Sequence, residues 1–468
     1  MRTGRKEMVH VFKIDDTNIV LDVYSGAVHT TDDTAAEMLK VMGDNPPKSE
    51  TLPEYIKDEL GEKFSLEALC EAYEDIKQLY KEDMLFSQDS YADIAANWNK
   101  KSVVKAMCLH ITHDCNLRCE YCFADTGAYG GERSVMSAEV GKAAIDYVIK
   151  NSGARKNIEI DFFGGEPLIN FDVVKEIVEY ARKVEKDAGK NFRFTITTNG
   201  LLLDEEKKKY INENMVNIVL SLDGRKEIND KVRKRVDGSG SYDKICDKFI
   251  DMAESRNQDN YYVRGTFTSY NLDFAKDVLH LADLGFKQIS VEPVVADKKM
   301  PYALLDEDIE RINKEYEDLA VLYIKRKKEG KGFNFFHFMI DLDGGPCVVK
   351  RLSGCGAGHE YVAVAPNGDI YPCHQFVGMD EMKMGNVKEE GLDNDIKTMF
   401  EKSNIYTKPS CKDCFAKFYC SGSCPANAYI YNGDINSPLE LTCKLQRKRV
   451  ECALYCAVKQ AEMEGNNE

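Results

Sequence analysis

Hydrophobic residues between positions 101 and 335 follow two alternating patterns. Short runs rich in β-branched and aromatic residues are followed by stretches whose apolar residues recur every three or four positions. The first pattern is typical of buried strands and the second of amphipathic helices. Six strands are predicted, at 103–112, 158–163, 192–197, 218–222, 261–267 and 288–294, with helices at 138–150, 173–187, 205–214, 242–255, 272–284 and 306–329. Six βα units predict a parallel sheet with helices outside it.

The pattern changes on both sides of this region. Residues 1–100 begin with three β-rich runs, at 10–14, 18–23 and 28–30, and continue with helical patterns at 35–42 and 66–84. They predict a small α+β domain. Beyond about residue 336 the βα pattern stops, and turn residues surround two short strands at 361–365 and 369–371. We therefore divide the chain at 1–100, 101–335 and 336–468, and expect the last part to be a small unit that needs metal to fold.

Composition limits the classes of partner. The chain has 468 residues and a formal net charge of −16, so we expect no nucleic-acid partner, because phosphate binding needs a basic surface. No apolar run is long enough to span a membrane, and the first residues lack the apolar core of a signal peptide, which predicts a cytoplasmic protein without membrane contact. Fifteen of the sixteen cysteines follow residue 100. In a reducing cytosol, clustered cysteines indicate metal binding or catalysis more often than disulfides.

Three cysteines follow the first strand of the central region at the spacing C-x3-C-x2-C: Cys115, Cys119 and Cys122. Thiolates are the usual ligands of iron–sulfur clusters, and a cubane cluster normally takes four. Three ligands leave one iron open, and an open metal position is typical of a catalytic site. A zinc knuckle uses the same residue type, so the triplet alone leaves both interpretations open.

The triplet, with the aromatic Tyr121 before its last cysteine, resembles the motif of radical S-adenosylmethionine (SAM) enzymes. The resemblance implies an α/β fold with a partial (β/α)6 barrel, and the six predicted βα units agree with it. It also implies that Cys115, Cys119 and Cys122 are catalytic residues on a [4Fe–4S] cluster whose open iron binds SAM, and that Tyr121 lies beside SAM. The reduced cluster would cleave SAM to a 5′-deoxyadenosyl radical, which abstracts hydrogen from the substrate.

Motifs at the next strand ends fit the same resemblance. The second strand ends in Gly164-Gly165-Glu166, where glycines let a ligand approach the backbone closely. In radical SAM enzymes this turn contacts the SAM amino group, and the alternative is an ordinary strand-ending turn. The resemblance places further SAM contacts at the ends of the third and fourth strands, at Asn199, Ser221 and Asp223.

Two charged residues occur inside the fifth and sixth predicted strands, Arg264 and Glu292. A charged side chain is rarely buried without a partner. The resemblance pairs Arg264 with the SAM carboxylate, for which a bidentate guanidinium is suited. Glu292 is expected to contact SAM or the substrate, or only to pair with Arg264. Arg233 lies in a charged run and is expected to be solvated.

The cysteines after residue 350 follow the spacing of the SPASM domain, a C-terminal extension that this region resembles. That domain carries two auxiliary [4Fe–4S] clusters. The resemblance gives them two ligand sets: Cys355, Cys373 and Cys424, and Cys411, Cys414, Cys420 and Cys443. Cys347 is expected to complete the first set; otherwise an open iron could bind and deprotonate a substrate thiol. A double zinc ribbon is the alternative.

Five cysteines lie outside these motifs: Cys70, Cys108, Cys246, Cys452 and Cys456. The first three are expected to be buried structural residues, and the last two, four apart on a predicted helix, are left unassigned. Two histidines lie beside predicted cluster ligands, His359 and His374. Each is expected at the surface rather than as a hydrogen-bond donor to sulfur.

The N-terminal run NIVLDVYSGAVHTTDDTAAEMLKVM resembles the PqqD-like peptide-recognition element of enzymes that modify ribosomally made peptides. In that family the leader peptide adds a strand to a sheet edge, and a generic N-terminal cap on the barrel is the alternative. Together the three parts resemble the maturases of six-cysteine (SCIFF) peptides. The resemblance implies a radical SAM oxidoreductase that joins a cysteine sulfur to a carbon of an acceptor residue in a Cys-rich precursor peptide.

The implied cofactors are three [4Fe–4S] clusters and SAM, and the implied partners are the precursor peptide with its leader and a flavodoxin- or ferredoxin-type electron donor. Two alternatives remain. An anaerobic sulfatase maturase, which makes formylglycine, shares the barrel and SPASM clusters but does not need a fused leader-binding domain. A non-enzymatic iron–sulfur electron carrier predicts no SAM site.

Overall fold

The computed structural model describes residues 9–96, 102–340, 342, 348–389 and 392–465. Within these ranges the strands form a three-stranded sheet, a ten-stranded sheet and a two-stranded ribbon. The strands are β1 (Val9–Ile14), β2 (Thr17–Asp22), β3 (Val28–Thr31), β4 (Ala106–Thr112), β5 (Leu117–Cys119), β6 (Asn157–Gly164), β7 (Asn191–Thr198), β8 (Asn217–Ser221), β9 (Arg233–Arg235), β10 (Tyr261–Phe267), β11 (Gln288–Pro293), β12 (Asn334–Phe335), β13 (Tyr361–Val364), β14 (Asp369–Tyr371) and β15 (Gly385–Asn386).

The α-helices of the same ranges alternate with the barrel strands and extend beyond them on both sides. They are α1 (Asp33–Met42), α2 (Glu54–Leu60), α3 (Leu66–Lys81), α4 (Ala92–Ala96), α5 (Ala138–Asn151), α6 (Phe171–Glu185), α7 (Glu205–Asn214), α8 (Lys226–Val232), α9 (Tyr242–Ser255), α10 (Ala275–Asp283), α11 (Ile309–Lys328), α12 (Val348–Ser353), α13 (Asn394–Lys402), α14 (Lys417–Cys420), α15 (Pro425–Asn432) and α16 (Glu440–Gly465). None of the described helices combines the length and the apolarity needed to cross a bilayer.

The ten-stranded sheet contains the predicted parallel barrel. β4, β6, β7, β8, β10 and β11 lie side by side in chain order, and every pairing between them is parallel. This order arises when each strand is followed by a crossover that returns the chain to the same end of the sheet. The structure confirms the predicted α/β fold, with small shifts of strand ends, such as a first strand that begins at Ala106 rather than at residue 103.

Aromatic residues fill the space between the strands and the helices. Phe162 of β6 and Phe194 of β7 are fully buried, and their stacked rings lie 5.6 Å apart. The helix between these strands, α6, buries Val174, Ile177 and Val178 on one face. Each Å2 of apolar area that this packing removes from water stabilises the fold by roughly 25 cal/mol. The same apolar spacing that predicted the helices thus fixes which face of each helix covers the sheet.

The N-terminal part forms its own antiparallel sheet, in the order β1-β2-β3. α1 packs on β1 and β2, and α3 packs against α1, with Leu69, Tyr73 and Ile76 on its buried face. Cys70 lies beside this face and is exposed, so the expectation of a buried Cys70 is wrong. The helical period accounts for the error, because position 70 is a quarter-turn away from Leu69.

The C-terminal part continues the barrel sheet rather than standing apart from it. β13 pairs in parallel with β4, and β14 and β15 follow in an antiparallel hairpin. The long helix α16 packs along α11 and buries Leu445, Leu454 and Tyr455. The described residues of this region therefore share their sheet and core with the barrel, and the need of metal for folding stays a prediction.

Candidate active site

The three cysteines of the central motif lie on a loop that begins where β4 ends. Cys119 is the last residue of β5, which pairs with β9 so that Cys119 lies opposite Arg233. Along the chain, Cys115 precedes β5 and Cys122 follows it. All three cysteines line a cavity of 140 Å3 near the carboxyl ends of β6, β7 and β8, which we call the small cavity.

The turn after β6 packs directly on the cysteine loop. The Gly165 N–H donates to the Thr112 carbonyl at 2.8 Å, and the Glu166 N–H donates to the Asp114 carbonyl at 2.9 Å. A Cβ at Gly165 would lie 2.0 Å from the Asp114 carbonyl oxygen, and Gly164 has a φ of +127°. Glycine is required at both positions. The Gly164-Gly165 pair therefore allows the turn after β6 and the cysteine loop to pack together at one wall of the small cavity.

Glu166 lines the small cavity and is held by three donors. The Thr198 hydroxyl and the Asn199 N–H each donate to its carboxylate at 2.7 Å, and the Leu168 N–H donates at 3.0 Å. Burial raises the pKa of Glu166 to about 7, and these hydrogen bonds oppose the rise. Asn199 also lines the cavity, and its side chain donates to Asn116 Oδ1 at 2.7 Å. The carboxylate is thus fixed in position before any ligand arrives.

Tyr121 connects a buried ion pair to the small cavity. Its hydroxyl donates to Asp223 Oδ2 at 2.7 Å and accepts from Arg233 Nη1 at 2.6 Å. Asp223 is fully buried and Arg233 is 8% exposed, so the expectation of a solvated Arg233 is wrong. Burial raises the pKa of Asp223, and Arg233 and Tyr121 oppose the rise. Asp223 does not line the cavity and reaches it only through Tyr121 and Arg233, which do.

A larger cavity of 820 Å3 lies between the barrel strands and the C-terminal region, and we call it the large cavity. Ser221, Tyr121 and Arg233 line both cavities, so the two adjoin. The barrel also contributes Arg264 and Glu292 to the large cavity. The two cavities thus bring together residues from all six barrel strands or the loops after them.

Arg264 and Glu292 do not pair with each other. Glu292 forms ion pairs with His337 at 3.1 Å and with Arg449 at 3.5 Å, and Arg449 also contacts His337. The expectation that Glu292 serves only as a partner of Arg264 is therefore wrong. The Arg264 side chain is exposed to the large cavity and forms no ion pair with the described residues. Its guanidinium is available to an anionic ligand.

His374 lines the large cavity instead of lying on the outer surface. Its ring lies 5.5 Å from that of Phe123 and 5.3 Å from that of Phe163. Burial, with a smaller contribution from Arg264, lowers the pKa of His374 to about 4, so the imidazole is neutral. His359 is buried as well. The surface expectation is wrong for both histidines.

The C-terminal cysteines form two groups whose members interact electrostatically. The first cysteine group is Cys355, Cys373 and Cys424, and the second cysteine group is Cys411, Cys414, Cys420 and Cys443. Burial, together with the neighbouring thiols, raises the pKa of Cys411 to about 11 and that of Cys443 to about 12. The groups coincide with the two predicted ligand sets. Cys347 lies outside the described residues.

The donor groups fit iron–sulfur clusters. They consist of thiols, and burial raises the pKa of Cys115 to about 12 and of Cys119 to about 11, so coordination to iron is what would hold them as thiolates. In the described ranges no three His, Cys, Asp or Glu side chains are placed to hold a single metal ion. A cluster does not require such placement, because each of its cysteines ligates a different iron.

The remaining cysteines have no place in these groups. Cys108 and Cys246 are buried in the core, as expected for structural residues. Cys452 and Cys456 are fully buried on α16, and the Cys456 thiol lies 3.9 Å from the Ala320 carbonyl of α11. Both therefore serve the packing of α16 against α11.

Comparisons with known families match both halves of this arrangement. Residues 109–292 match the radical SAM superfamily, and residues 355–415 match SPASM, described as an iron–sulfur cluster-binding domain. The first range contains Cys115, Cys119 and Cys122 and extends to Glu292. The second contains Cys355, Cys373, Cys411 and Cys414.

Several characterised proteins are similar over most of the chain. A cysteine-type anaerobic sulfatase-maturating enzyme of Clostridium novyi (strain NT) is 28% identical over 333 residues, which cover 67% of this chain and 86% of the relative. A serine-type enzyme of Bacteroides thetaiotaomicron is 26% identical over 365 residues, covering 70% and 84%. The radical SAM cyclopropyl synthase TigE of Paramaledivibacter caminithermalis is 23% identical over 342 residues, covering 69% and 68%.

Two solved structures share the fold. Native anSMEcpe with bound AdoMet and the Kp18Cys peptide superposes with a TM-score of 0.62 and 21% identity, covering 78% of this chain and 99% of that one. Streptococcus suis SuiB bound to its precursor peptide SuiA gives 0.51 and 17%, covering 92% and 97%. The two family matches and the shared fold lead to one conclusion. The chain has the radical SAM α/β fold with a C-terminal SPASM domain; it is a radical SAM enzyme, and its cofactors are SAM and more than one [4Fe–4S] cluster.

Proposed function

We propose that this enzyme forms a thioether cross-link inside a ribosomally made, Cys-rich peptide whose leader docks on residues 9–96. The observation that carries the proposal is the open edge of the N-terminal sheet. β3 pairs with β2 on one side, and no strand of the described residues pairs with its other side. The side chains of Val28–Thr31 are partly or fully exposed. An unpaired strand edge is a template to which an extended peptide can add a strand.

The opposite edge of the same sheet is covered by the C-terminal region. His10 of β1 stacks on Phe415, with ring centroids 3.5 Å apart. The His10 ring nitrogen also lies 2.9 Å from the Glu451 carboxylate in α16. The β1 edge is therefore part of an internal interface, and β3 is the edge at which a leader would dock.

In this proposal the small cavity and its rim bind the cofactors. Cys115, Cys119 and Cys122 hold the cluster that cleaves SAM. The residues proposed to bind SAM are Gly164, Gly165, Glu166, Asn199, Ser221, Tyr121 and Arg264, with Asp223 acting through Tyr121. When bound, SAM and the clusters supply a 5′-deoxyadenosyl radical, which takes a hydrogen atom from the substrate, and an acceptor for the second electron.

The large cavity is the proposed site of the peptide segment that is modified. It adjoins the small cavity and is lined by apolar side chains such as Val294 and Ile430, by the free Arg264 and by Glu292. Cys420 and Cys424, one from each cysteine group, also reach it. In the peptide, one C–H bond of an acceptor residue and one S–H bond of a cysteine are replaced by a C–S bond. The substrate therefore loses two hydrogens.

The comparison with SuiB supports a peptide substrate with a leader. That structure was solved with a precursor peptide, and it covers 92% of this chain, against 78% for the anSMEcpe structure. The larger coverage is the difference expected if SuiB also has a counterpart of the N-terminal sheet. The electron donor is proposed to be of the flavodoxin or ferredoxin type.

Formylglycine formation in a sulfatase is the second candidate function. The sequence identities of 28% and 26% to sulfatase-maturating enzymes favour it. That reaction would use the same barrel and the same cysteine groups. It leaves the open β3 edge without a role, because the modified protein then needs no leader.

Mass spectrometry of the peptide product separates the two functions. Reconstituted protein is incubated anaerobically with SAM, a strong reductant and either a Cys-rich peptide encoded nearby or a sulfatase-derived peptide, and each product is alkylated. Loss of two hydrogens with one fewer alkylatable thiol in the first peptide supports thioether formation. Replacement of the cysteine thiol by an aldehyde in the second peptide supports formylglycine formation and contradicts our proposal.

Proline substitutions at the β3 edge test the docking step directly. Successive residues of a strand point their N–H groups to opposite sides, so either His29 or Thr30 directs its N–H away from β2. We expect whichever of His29→Pro and Thr30→Pro removes that outward donor to weaken leader binding, with SAM cleavage in the absence of peptide unchanged. Unchanged leader affinity in both variants, measured by calorimetry, would exclude docking at this edge.

A further inference from the structure

The segment between Cys420 and Cys424 joins the two cysteine groups. Cys420 belongs to the second cysteine group, and Cys424 belongs to the first. The three residues between them have φ values of 58°, 90° and 66°, so the segment is a tight left-handed turn. The Ser423 N–H donates to the Cys420 Sγ at 3.3 Å. A charge placed against this turn would act on both groups at once.

Lys408 places its ammonium there. The side chain is buried, with 4% of the residue exposed, and Nζ donates to the Gly422 carbonyl at 2.6 Å. A Cβ on Gly422 would lie 3.1 Å from Nζ, so the ammonium is packed against the turn itself. The Lys408 carbonyl in turn accepts from the Cys411 N–H at 3.0 Å, which ties the lysine to the start of the second cysteine group.

No carboxylate of the described residues accompanies this buried charge. Within the described part of the chain, Lys408 forms no ion pair with an Asp or a Glu, and the side chains that interact electrostatically with it are thiols of both groups: Cys411, Cys420, Cys424 and Cys355. A buried ammonium with one carbonyl as its partner is costly unless an anion faces it. The thiols are neutral by themselves and become anionic as ligands of iron.

We propose that Lys408 is the counter-charge shared by the two auxiliary clusters. The inference rests on the proposed ligation of those clusters by the two cysteine groups. Reduction adds negative charge to a cluster, so a fixed positive charge beside it favours the reduced form and raises its reduction potential. Because Lys408 faces both groups, its removal should lower both potentials.

The test uses the full-length protein with Cys115, Cys119 and Cys122 replaced by alanine, so that the remaining iron belongs to the C-terminal groups. In this background Lys408→Met is compared with Lys412→Met, which removes the same charge from an exposed position next to Cys411. Iron content and a redox titration followed by electron paramagnetic resonance are measured. We expect Lys408→Met to shift both midpoint potentials to more negative values and Lys412→Met to leave them nearly unchanged. Equal shifts in the two variants, or none, would overturn the proposal.

A second variant keeps the test decisive if Lys408→Met fails to retain its clusters. Lys408→Arg preserves the positive charge, so it should restore iron content and bring the potentials back toward those of the parent. Loss of iron in both variants would show that side-chain shape rather than charge is required, which contradicts the proposal. A parent protein without C-terminal iron would instead contradict the ligation on which the inference rests.

Discussion

The small and large cavities differ in how their polar side chains are satisfied. Around the small cavity, Glu166 accepts three hydrogen bonds, and Tyr121, Asp223 and Arg233 form a closed network. In the large cavity, Arg264 is exposed and unpaired within the described residues. The first site is built before its ligand arrives, whereas the second leaves a charge for the ligand to neutralise. Preorganised groups favour precise positioning of a cofactor, and an unpaired charge favours binding of a ligand with the opposite charge.

The largest expected effect comes from breaking the closed network. Arg233→Met leaves Asp223 buried without its cation, which should lower the free energy of unfolding by about 3–5 kcal/mol. The midpoint of urea unfolding, followed by circular dichroism on anaerobic protein, measures this change. The matched control is Arg235→Met, two residues further along β9, whose partner Asp237 lies at the surface; it should change stability by less than about 0.5 kcal/mol. Similar losses in both variants would mean that Arg233 is not compensating a buried charge.

A smaller effect is expected at Arg264, and it should appear in binding rather than in stability. Loss of a charged hydrogen-bond donor costs about 1.5–3 kcal/mol of binding, so Arg264→Met should weaken SAM binding roughly tenfold to a hundredfold. Calorimetry on the reconstituted protein measures the affinity, and the unfolding midpoint should stay at the wild-type value. If Arg264→Met were as unstable as Arg233→Met, the contrast between the two cavities would be wrong, because Arg264 would then be a structural residue.

The smallest expected effect is the release of a proton from Glu166 when SAM binds. Its pKa, which burial raises to about 7, leaves the carboxyl largely protonated below pH 7 and ionised above it. A cationic ligand favours the ionised form, so SAM binding near pH 7 should release a fraction of a proton, and affinity should rise as the pH rises through about 7. Calorimetry in two buffers with different ionisation enthalpies measures the release. It should disappear in Glu166→Gln, and persistence of the same release in that variant would assign the proton to another group.

Local patterns in the sequence predicted most of the barrel fold and the motifs that the structure brings together at the small cavity. Strand and helix periods fixed the six βα units, and glycines beside Glu166 marked a wall of the small cavity because only glycine tolerates that approach. The strand and helix periods and the glycine turn depend on neighbours a few residues apart. The two C-terminal cysteine groups came instead from the resemblance of this region to the SPASM domain.

Contacts between distant segments were not predictable in the same way. Arg233 was expected to be solvated because it lies in a charged run. In the structure it belongs to β9, which pairs with the cysteine loop, and there Arg233 is a buried partner of Asp223. Pairing with Arg264 was one of the alternatives for Glu292, yet its partner Arg449 comes from α16, 157 residues later. Such pairings are set by tertiary packing, which a periodic pattern does not contain.

The pairing of β13 with β4 has a consequence for how the protein is made. β4, which leads directly into the Cys115 loop, receives its second neighbouring strand from residues synthesised 255 positions later. At a synthesis rate of about 5–20 residues per second, the ribosome needs roughly 10 to 50 seconds to supply it. During that time one edge of the nascent barrel stays unpaired and prone to wrong association. The barrel edge beside the Cys115 loop can therefore close only after β13 has been synthesised.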